Sequence, residues 1–153
     1  MPTFFMDASA MVKFYAREPG SLSVQRMIEG EAGRVVISAI TGPEVISALC
    51  RKGRTGELDA HAVEDLATRF HEDYLARFIR ARVTDPVIAR AIDLIREHPL
   101  RANDAVQLAT ALTLPQPNTG TPFFPLVFVS ADERLNEAAR RSGLQVHPPQ
   151  DQP

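Results

Sequence analysis

Short apolar runs alternate with segments of helical periodicity along most of this chain. Continuous apolar or β-branched runs cover Thr3–Met6, Arg34–Ser38 and Leu126–Val129. Runs of this length without polar alternation are typical of strands buried on both faces of a parallel sheet. Arg82–Thr84 is a weaker strand candidate, and Leu144–His147 is expected to add a last strand at the sheet edge.

Segments with helical spacing of apolar residues fill the intervals between these runs. Their predicted ranges are 7–17, 21–29, 43–54, 57–80 as one helix or two, 86–97, 103–112 and 132–141. Strands that alternate with helices predict an α/β fold, here a single domain over residues 1–147 with a central parallel sheet flanked by helices. Residues 114–125 are expected to form a loop. The segment from Pro148 to the C-terminus is expected to be a disordered tail.

Four acidic residues stand beside these apolar runs, where a strand or helix is expected to meet the surface. They are Asp7, Glu44, Asp104 and Asp132. Asp7 and Asp132 each follow a predicted strand, and ligands of open α/β sheets bind beyond the carboxyl ends of the strands. Glu44 and Asp104 lie at or near predicted helix N-termini, which can point to the same edge. We therefore expect one shared acidic site.

A cation is the natural partner for such a cluster. Two carboxylates about 4 Å apart repel by about 4 kcal/mol at an effective dielectric constant near 20. Hard divalent ions such as Mg²⁺ or Mn²⁺ prefer oxygen ligands and offset that repulsion. The simpler alternative is that Asp7, Asp104 and Asp132 only cap helices, a role that contributes about 1 kcal/mol apiece.

Composition limits the remaining functional classes. The 153 residues suffice for one domain with a hydrophobic core, and no apolar run approaches the roughly 18 residues of a membrane-spanning helix. The N-terminus lacks the basic region of a secretory signal. Cys50 is the only cysteine, so an intramolecular disulfide is impossible and a cytoplasmic location is expected.

The formal net charge of −2 does not by itself suggest a nucleic-acid-binding protein. Neutralisation of the four carboxylates by metal would leave the remaining charge positive. Lys13 and Lys52 are the only lysines, and the other basic residues are arginines, which suit bidentate recognition of phosphate. The arginine bias also has a simpler explanation in genomic base composition.

The segments around the four acids resemble those of a known family. They are Met6–Lys13, Ser38–Val45, Leu100–Ala109 and Phe128–Leu135. In this order and at these separations they are similar to the motifs of PIN-domain ribonucleases, and specifically of the VapC-type toxins of bacterial toxin–antitoxin pairs. The resemblance extends from Met6 to about Val146. One departure is a longer, more proline-rich segment at residues 115–125.

This resemblance implies a function. It implies endonucleolytic cleavage of RNA phosphodiesters by metal-activated water, with Mg²⁺ or Mn²⁺ as cofactor. By the same resemblance, Asp7, Glu44, Asp104 and Asp132 form the acidic site and Ser9 and Ser130 support it. We expect Asp7 and Asp104 to hold the first ion directly. Glu44 and Asp132 are expected to act through water, orient the nucleophile or complete a second metal site.

The resemblance also implies partners, namely an RNA substrate, a cognate antitoxin that wraps the protein and blocks the acidic pocket, and a second copy of the chain in a homodimer. A basic side chain of the antitoxin would pair with the carboxylates. No membrane partner is expected. The apolar positions Leu66, Phe70 and Phe78 suit either the core or an interface, and periodicity does not separate these uses.

Two other functions remain open at the level of sequence. One is a non-catalytic interaction module that keeps the PIN-like fold and uses its acids only as helix caps. The other is a phosphatase with Asp7 as the nucleophile, although Ser9 stands where such enzymes usually place a second acid. Metal binding that depends on both Asp7 and Asp104 distinguishes a metal-dependent nuclease from both.

Overall fold

A five-stranded parallel sheet forms the centre of the structure. The computed structural model describes residues 2–30, 34–115 and 125–151. Within these ranges the strands are β1 (Thr3–Met6), β2 (Arg34–Ser38), β3 (Ile79–Ala81), β4 (Leu126–Val129) and β5 (Gln145–Val146). Their spatial order is β3-β2-β1-β4-β5, and every neighbouring pair is parallel. The predicted α/β fold with a central parallel sheet is confirmed.

Helices connect the strands and cover both faces of the sheet. Those in the described ranges are α1 (Ala8–Tyr15), α2 (Ser21–Glu29), α3 (Thr41–Arg54), α4 (Ala60–Ala76), α5 (Asp85–Glu97), α6 (Ala102–Thr113) and α7 (Glu133–Arg141). None of them is long and apolar enough to cross a membrane. The segment at residues 57–80, predicted as one helix or two, contains the single helix α4.

The hydrophobic core has two layers because successive strand residues point to opposite faces of the sheet. Met6 and Val129 face the layer that contains α1, α2, α3 and α4. Phe5 and Phe128 face the layer that contains α5, α6 and α7. These two rings stack with centroids 5.7 Å apart and planes 8° from parallel. β1 and β4 are therefore held together by side chains as well as by their hydrogen bonds.

The order of the strands creates a crevice at the carboxyl end of β1. The chain proceeds outward from β1 through β2 to β3, then returns to place β4 on the other side of β1. Connections after β1 and β4 leave in different directions at such a switch point, and ligands bind there in open α/β sheets. The backbone N–H of Asp7 donates to the carbonyl oxygen of Val129 over 3.1 Å, which fixes Asp7 at this point.

The predicted position of the third strand was wrong. Sequence reasoning placed a weak strand at Arg82–Thr84, but β3 covers Ile79–Ala81 and pairs with β2 from Val36 to Ser38. Helix α4 ends at Ala76, and the N–H of Arg77 donates to the carbonyl oxygen of Asp73. The extended strand can therefore begin three residues earlier than expected. Thr84 instead occupies the N-cap position of α5.

The predicted start of α6 was also wrong. Asn103 or Asp104 was expected to cap this helix, but the N-cap position is Arg101 and both acidic and amide side chains lie in the first turn. Asp104 accepts a hydrogen bond from the side chain of Arg101, and Asn103 donates to Glu44. The side chains expected to cap the helix are thus committed to contacts with other side chains.

The three apolar residues that suited either a core or an interface belong to the core. Phe70 is 1% exposed and Phe78 is 7% exposed. Leu66 is partly buried and packs against the same layer as α1 and α3. Phe70 and Phe78 are therefore not available to a partner protein, whereas Leu66 keeps part of its surface exposed.

The described part of the C-terminal segment contacts the start of α2. The Asp151 carboxylate accepts hydrogen bonds from the backbone N–H groups of Gly20 at 3.0 Å and Ser23 at 2.9 Å. Gly20 occupies the N-cap position of α2 and has no side chain of its own to satisfy these groups. Pro149 is buried. The domain boundary at residue 147 and the disordered tail stay predictions, and residues 116–124 of the predicted loop lie outside the described residues.

Gly20→Ala is expected to destabilise the protein more than the matched control Gly56→Ala. Both glycines have a positive φ, 92° and 81°, at which a Cβ atom costs about 1–2 kcal/mol. At Gly20 the added Cβ would also lie 2.5 Å from the carbonyl oxygen of Pro149, whereas at Gly56 it meets nothing within 4 Å. Urea unfolding should show a loss of about 1 kcal/mol for Gly56→Ala and at least about 2 kcal/mol for Gly20→Ala.

Truncation after His147 provides the control for this comparison. Without Pro149, the cost of Gly20→Ala should fall toward that of Gly56→Ala, with only the contact of the added Cβ with Lys13 Cδ at 3.2 Å remaining. Equal costs in the full-length chain would show instead that the C-terminal segment does not rest against Gly20 in solution.

Candidate metal-binding active site

A cavity of about 420 Å³ lies at the switch point, and all four predicted acids line it. Each comes from a different element: Asp7 from the end of β1, Glu44 from the first turn of α3, Asp104 from the first turn of α6 and Asp132 from the start of α7. Ser9 also lines this cavity. The four carboxylates, which are far apart in the chain, thus line one cavity.

Asp7 lies deepest of the four, with 3% of its surface exposed. One carboxylate oxygen, Oδ1, accepts from the Ala10 backbone N–H at 2.9 Å and from the Ser9 hydroxyl at 2.7 Å. The other, Oδ2, accepts from the Ser130 hydroxyl at 2.7 Å. A carboxylate has about four acceptor sites. Asp7 thus caps α1 and still has about one acceptor site for a cation.

Ser9 and Ser130 join the two sides of the crevice as well as Asp7. The Ser9 hydroxyl accepts from the Ala131 N–H at 2.9 Å, and the Ser130 hydroxyl accepts from the Asp132 N–H at 3.0 Å. Each hydroxyl has one hydrogen, and with these N–H groups as its donors it is left to donate to Asp7. The two serines thereby fix the Asp7 carboxylate relative to the segment that carries Asp132.

Burial dominates the electrostatics of Asp7. Removal from water raises its pKa from 3.8 to about 6, against the hydrogen bonds from Ser130, Ser9 and Ala10, which lower it. The negative charge of Glu44 adds a smaller upward contribution. The ionised form is therefore costly in this position, and a cation in the cavity would favour it.

Glu44 is held from α6 by two amide side chains. Gln107 Nε2 donates to Glu44 Oε1 at 3.0 Å, and Asn103 Nδ2 donates to Oε2 at 3.2 Å. Gln107 Nε2 also lies 2.9 Å from the Thr41 hydroxyl oxygen, and the residue is 1% exposed. Burial raises the pKa of Glu44, with a further contribution from the charge of Asp104, although both amide bonds lower it.

Sequence reasoning missed Gln107 and Asn103. The available signal was a single glutamine in a helix that is otherwise apolar almost all round, three residues after Asp104. Residues three apart share a face of a helix, so Gln107 had to face the same side as Asp104. A buried amide on that side needed a polar partner.

Asp104 and Asp132 share one cation, Arg101. Arg101 Nε lies 3.2 Å from Asp104 Oδ2, and Arg101 Nη2 lies 4.0 Å from Asp132 Oδ2. The other Asp132 oxygen, Oδ1, accepts from the N–H groups of Arg134 and Leu135 and caps α7, as predicted. Asp104 caps nothing, so the cap interpretation fails for this residue.

The acids of the cavity are the right chemical type of ligand for a hard divalent cation, but they do not form a complete set of ligands. All four acids offer oxygen ligands, as Mg²⁺ and Mn²⁺ prefer. Among the described residues, however, no three acidic, histidine or cysteine side chains form a group that could hold an ion. Mg²⁺ characteristically takes one or two carboxylates and completes its shell with water and substrate phosphate. The residues therefore fit an open metal site, with Asp7 and Asp104 the candidates for direct contact.

The part of the cavity formed by α1, α3 and the loops that follow them carries a net positive charge, and we call it the basic wall. Glu18 lies between the two lysines of the chain, 3.1 Å from Lys13 Nζ and 2.9 Å from Lys52 Nζ. Lys52 also pairs with Glu57 at 3.0 Å. Arg51 lines the same wall. Among the described residues, no carboxylate lies within 4.0 Å of its guanidinium, the limit for an ion pair. The basic wall thus has three cations against two carboxylates, a net charge of +1.

Comparison with known proteins identifies the family of this arrangement. The sequence model of the PIN domain matches residues 4–141. The chain belongs to the PIN-domain family. It is 35% identical over 150 residues to ribonuclease VapC45 of Mycobacterium tuberculosis, an alignment that covers 98% of both chains. The resemblance to VapC-type PIN-domain ribonucleases is therefore confirmed.

Solved structures show the same fold at lower identity. The Mycobacterium tuberculosis toxin VapC20, which cleaves the sarcin–ricin loop, superposes with a TM-score of 0.63 at 15% identity, over 92% of this chain and 95% of that one. A chain of a toxin–antitoxin complex from Klebsiella pneumoniae gives a TM-score of 0.62 at 17% identity, over 97% and 98%. The five-stranded parallel sheet of this PIN domain is thus common to these proteins.

Asp7→Asn is expected to stabilise the folded protein at neutral pH. Because the pKa of Asp7 is higher in the folded state, about 6, than its ordinary 3.8, its stabilising contribution is complete below pH 3.8 and is lost as the pH rises through 6. Asparagine does not titrate. Urea unfolding with chelator present should show a gain of about 1–3 kcal/mol above pH 6 that vanishes near pH 4.

Asp59→Asn is the matched control, since Asp59 caps α4 through a backbone N–H in the same way but is exposed. Asp59→Asn should not stabilise the folded protein at pH 8. An Asp7→Asn protein less stable than wild type at pH 8 would contradict the dominance of desolvation at this site.

Proposed function

We propose that this PIN-domain protein is an Mg²⁺- or Mn²⁺-dependent endoribonuclease and the toxin of a toxin–antitoxin pair. The observation that carries the proposal is the convergence of Asp7, Glu44, Asp104 and Asp132 on one cavity at the sheet switch point. A further support is the 35% identity, over nearly the full length of the chain, to a ribonuclease of the same family. The proposal places the protein in the cytoplasm, where its RNA substrate is found.

The reaction is hydrolysis of a phosphodiester. A water oxygen attacks phosphorus, the bond from phosphorus to the leaving oxygen breaks, and the proton of the water passes to a base while the leaving oxygen gains one. A divalent cation at this site would lower the pKa of the attacking water and neutralise charge on the phosphate. The protein contributes the positions of the carboxylates and of the cations around them.

Each carboxylate has a proposed role. Asp7 and Asp104 are the direct ligands of the cation, since Asp7 retains about one acceptor site and Asp104 caps no helix. Glu44 is the candidate to orient the attacking water, because Gln107 and Asn103 hold both of its oxygens and burial raises its pKa toward that of a useful base. Asp132 acts through water or completes a second metal site.

The basic wall supports RNA as the substrate. Lys13 and Lys52 are held in place by Glu18, and Arg51 is exposed and unpaired among the described residues. Phosphate groups on either side of the scissile bond need cations at fixed positions, while sequence is read elsewhere. The cavity thus has room and charge for an RNA backbone that runs from the carboxylates to the wall formed by α1 and α3.

Asp104→Asn is expected to abolish both metal binding and cleavage while leaving the fold intact. In wild type, Mn²⁺ at 100 times its Kd should add about 2.7 kcal/mol to the free energy of unfolding, and this shift should be absent from the variant. Cleavage of total bacterial RNA should fall by about 100-fold or more. Thermal unfolding with Mn²⁺ and gel analysis of the RNA measure the two effects.

Asp65→Asn, on the exposed side of α4, is the control for removal of one negative charge. It should bind Mn²⁺ and cleave RNA like wild type. A wild-type protein whose unfolding Mn²⁺ does not shift would favour the non-catalytic interaction module, and cleavage by Asp104→Asn at the wild-type rate would remove Asp104 from the active site.

The proposal includes an antitoxin, since a structural neighbour is part of a toxin–antitoxin complex. It also includes a homodimer. Helix α5 exposes Ile88, Ile92 and Ile95, which are 42%, 55% and 41% exposed and share one face by their spacing. Asp85 and Arg96 stand at opposite ends of that face. Two copies packed antiparallel would pair each acid with the other copy's arginine, as a two-fold interface requires.

Ile92→Glu is therefore expected to convert a dimer into a monomer. A buried, unpaired carboxylate at the centre of the contact would oppose association. Size-exclusion chromatography with light scattering reads the mass directly. Leu22→Glu, which changes an apolar residue of α2 that is 46% exposed, should leave the mass unchanged. A monomeric wild type, or an Ile92→Glu dimer, would exclude this face as the interface.

A further inference from the structure

Arg101 occupies a distinctive position in the candidate site. Among the cations that the structure describes, Arg101 lies within ion-pair distance of two of the four carboxylates, at 3.2 Å from Asp104 and 4.0 Å from Asp132. Its side chain is nevertheless 77% exposed. Among the described residues, the other cations of the cavity lie on the basic wall. The two lysines pair with Glu18 and Glu57, and Arg51 has no carboxylate partner.

The backbone explains this combination of contact and exposure. Arg101 stands at the N-cap position of α6 with extended dihedral angles, and Asp104 lies three residues later in the first turn. The pair is therefore formed within one short segment, and it does not require the rest of the fold to bury the guanidinium. A long side chain anchored at its base and exposed at its tip retains freedom to rotate toward another anion.

Two consequences follow for a divalent cation. A cation bound at Asp104 would share that carboxylate with Arg101, and their positive charges would repel, so each would weaken the binding of the other. A guanidinium that gives up Asp104 keeps its five N–H donors for an anion in the same cavity. Phosphate is the anion whose geometry matches that fork.

We infer that Arg101 exchanges Asp104 for the scissile phosphate of the substrate, and so couples metal binding to substrate binding. This inference rests on the proposed function, since it requires both a cation at Asp104 and a phosphodiester in the cavity. Arg101 thereby contacts substrate directly, and it neutralises charge on the phosphate oxygens as the attacking water approaches. Its removal should strengthen binding of the metal but weaken binding of RNA.

Arg101→Gln tests this inference by two readouts of opposite sign. Mn²⁺ titration followed by thermal unfolding should give about fivefold tighter binding than wild type, because one repelling charge is lost. At saturating Mn²⁺, anisotropy of a labelled, cleavage-resistant 2′-O-methyl RNA of 20 nucleotides should show about tenfold weaker binding. The slope of log affinity against log salt should fall by about 1.

Two further variants separate this role from a structural one. Arg101→Lys keeps the charge but not the fork, so the salt slope should persist while part of the affinity is lost. Arg26→Gln removes a charge from an exposed position of α2 that does not line the cavity, and it should change neither readout.

The outcomes distinguish the inference from the function on which it rests. Wild type that binds Mn²⁺, with an Arg101→Gln protein that binds metal and RNA unchanged, overturns the role of Arg101 alone. Loss of both affinities together, with a lowered unfolding temperature, shows a structural role and also overturns it. No Mn²⁺ binding by wild type overturns the metal site and this inference together.

Discussion

One buried carboxylate, at the point where β1 and β4 part, constrains the arrangement of the groups around it. Asp7 is almost fully removed from water, and burial raises its pKa to about 6 despite three hydrogen bonds. An ionised group in such a place is stable only when donors and positive charge surround it. The two serines provide the donors, and they connect α1 to the segment after β4 in doing so.

The other acids extend that constraint to the helices. Glu44 and Asp104 come from α3 and α6, and their charges act on one another across the cavity. Gln107 and Asn103 connect the two helices through Glu44, so the position of α6 against α3 also positions the carboxylates. The same packing that completes the core layer of α5, α6 and α7 thereby arranges the chemistry.

The division of charge within the cavity gives the site its direction. The four acids of the candidate site lie at the sheet edge with Arg101, whereas three cations outnumber two carboxylates on the basic wall. The overall net charge of −2 conceals this arrangement, because carboxylates and cations cancel in the sum. A phosphodiester bound between them would meet a cation-binding centre on one side and fixed positive charge on the other.

Local sequence predicted the bounds of an element correctly where one interaction dominates, and misplaced them where two interactions compete. Strand β4 was predicted with its observed bounds because an uninterrupted apolar run suits only a buried strand or helix and is too short for the latter. Strand β3 was misplaced because its three residues are mostly exposed and are extended only by pairing with β2. The start of α6 was misplaced because Asp104 has a cap-forming side chain that contacts Arg101 instead.

The sequence by itself determined the fold class, the family and the identity of the four acids, since these depend on periodicity and on motifs that are local in the chain. Only the tertiary structure decided which groups surround each acid: that Ser9 and Ser130 both donate to Asp7, that Gln107 reaches Glu44 from another helix, and that Arg101 lies between Asp104 and Asp132. The physical reason is distance. Burial and charge act through space between residues as far apart in the chain as Asp7 and Ser130, and no local pattern records that separation.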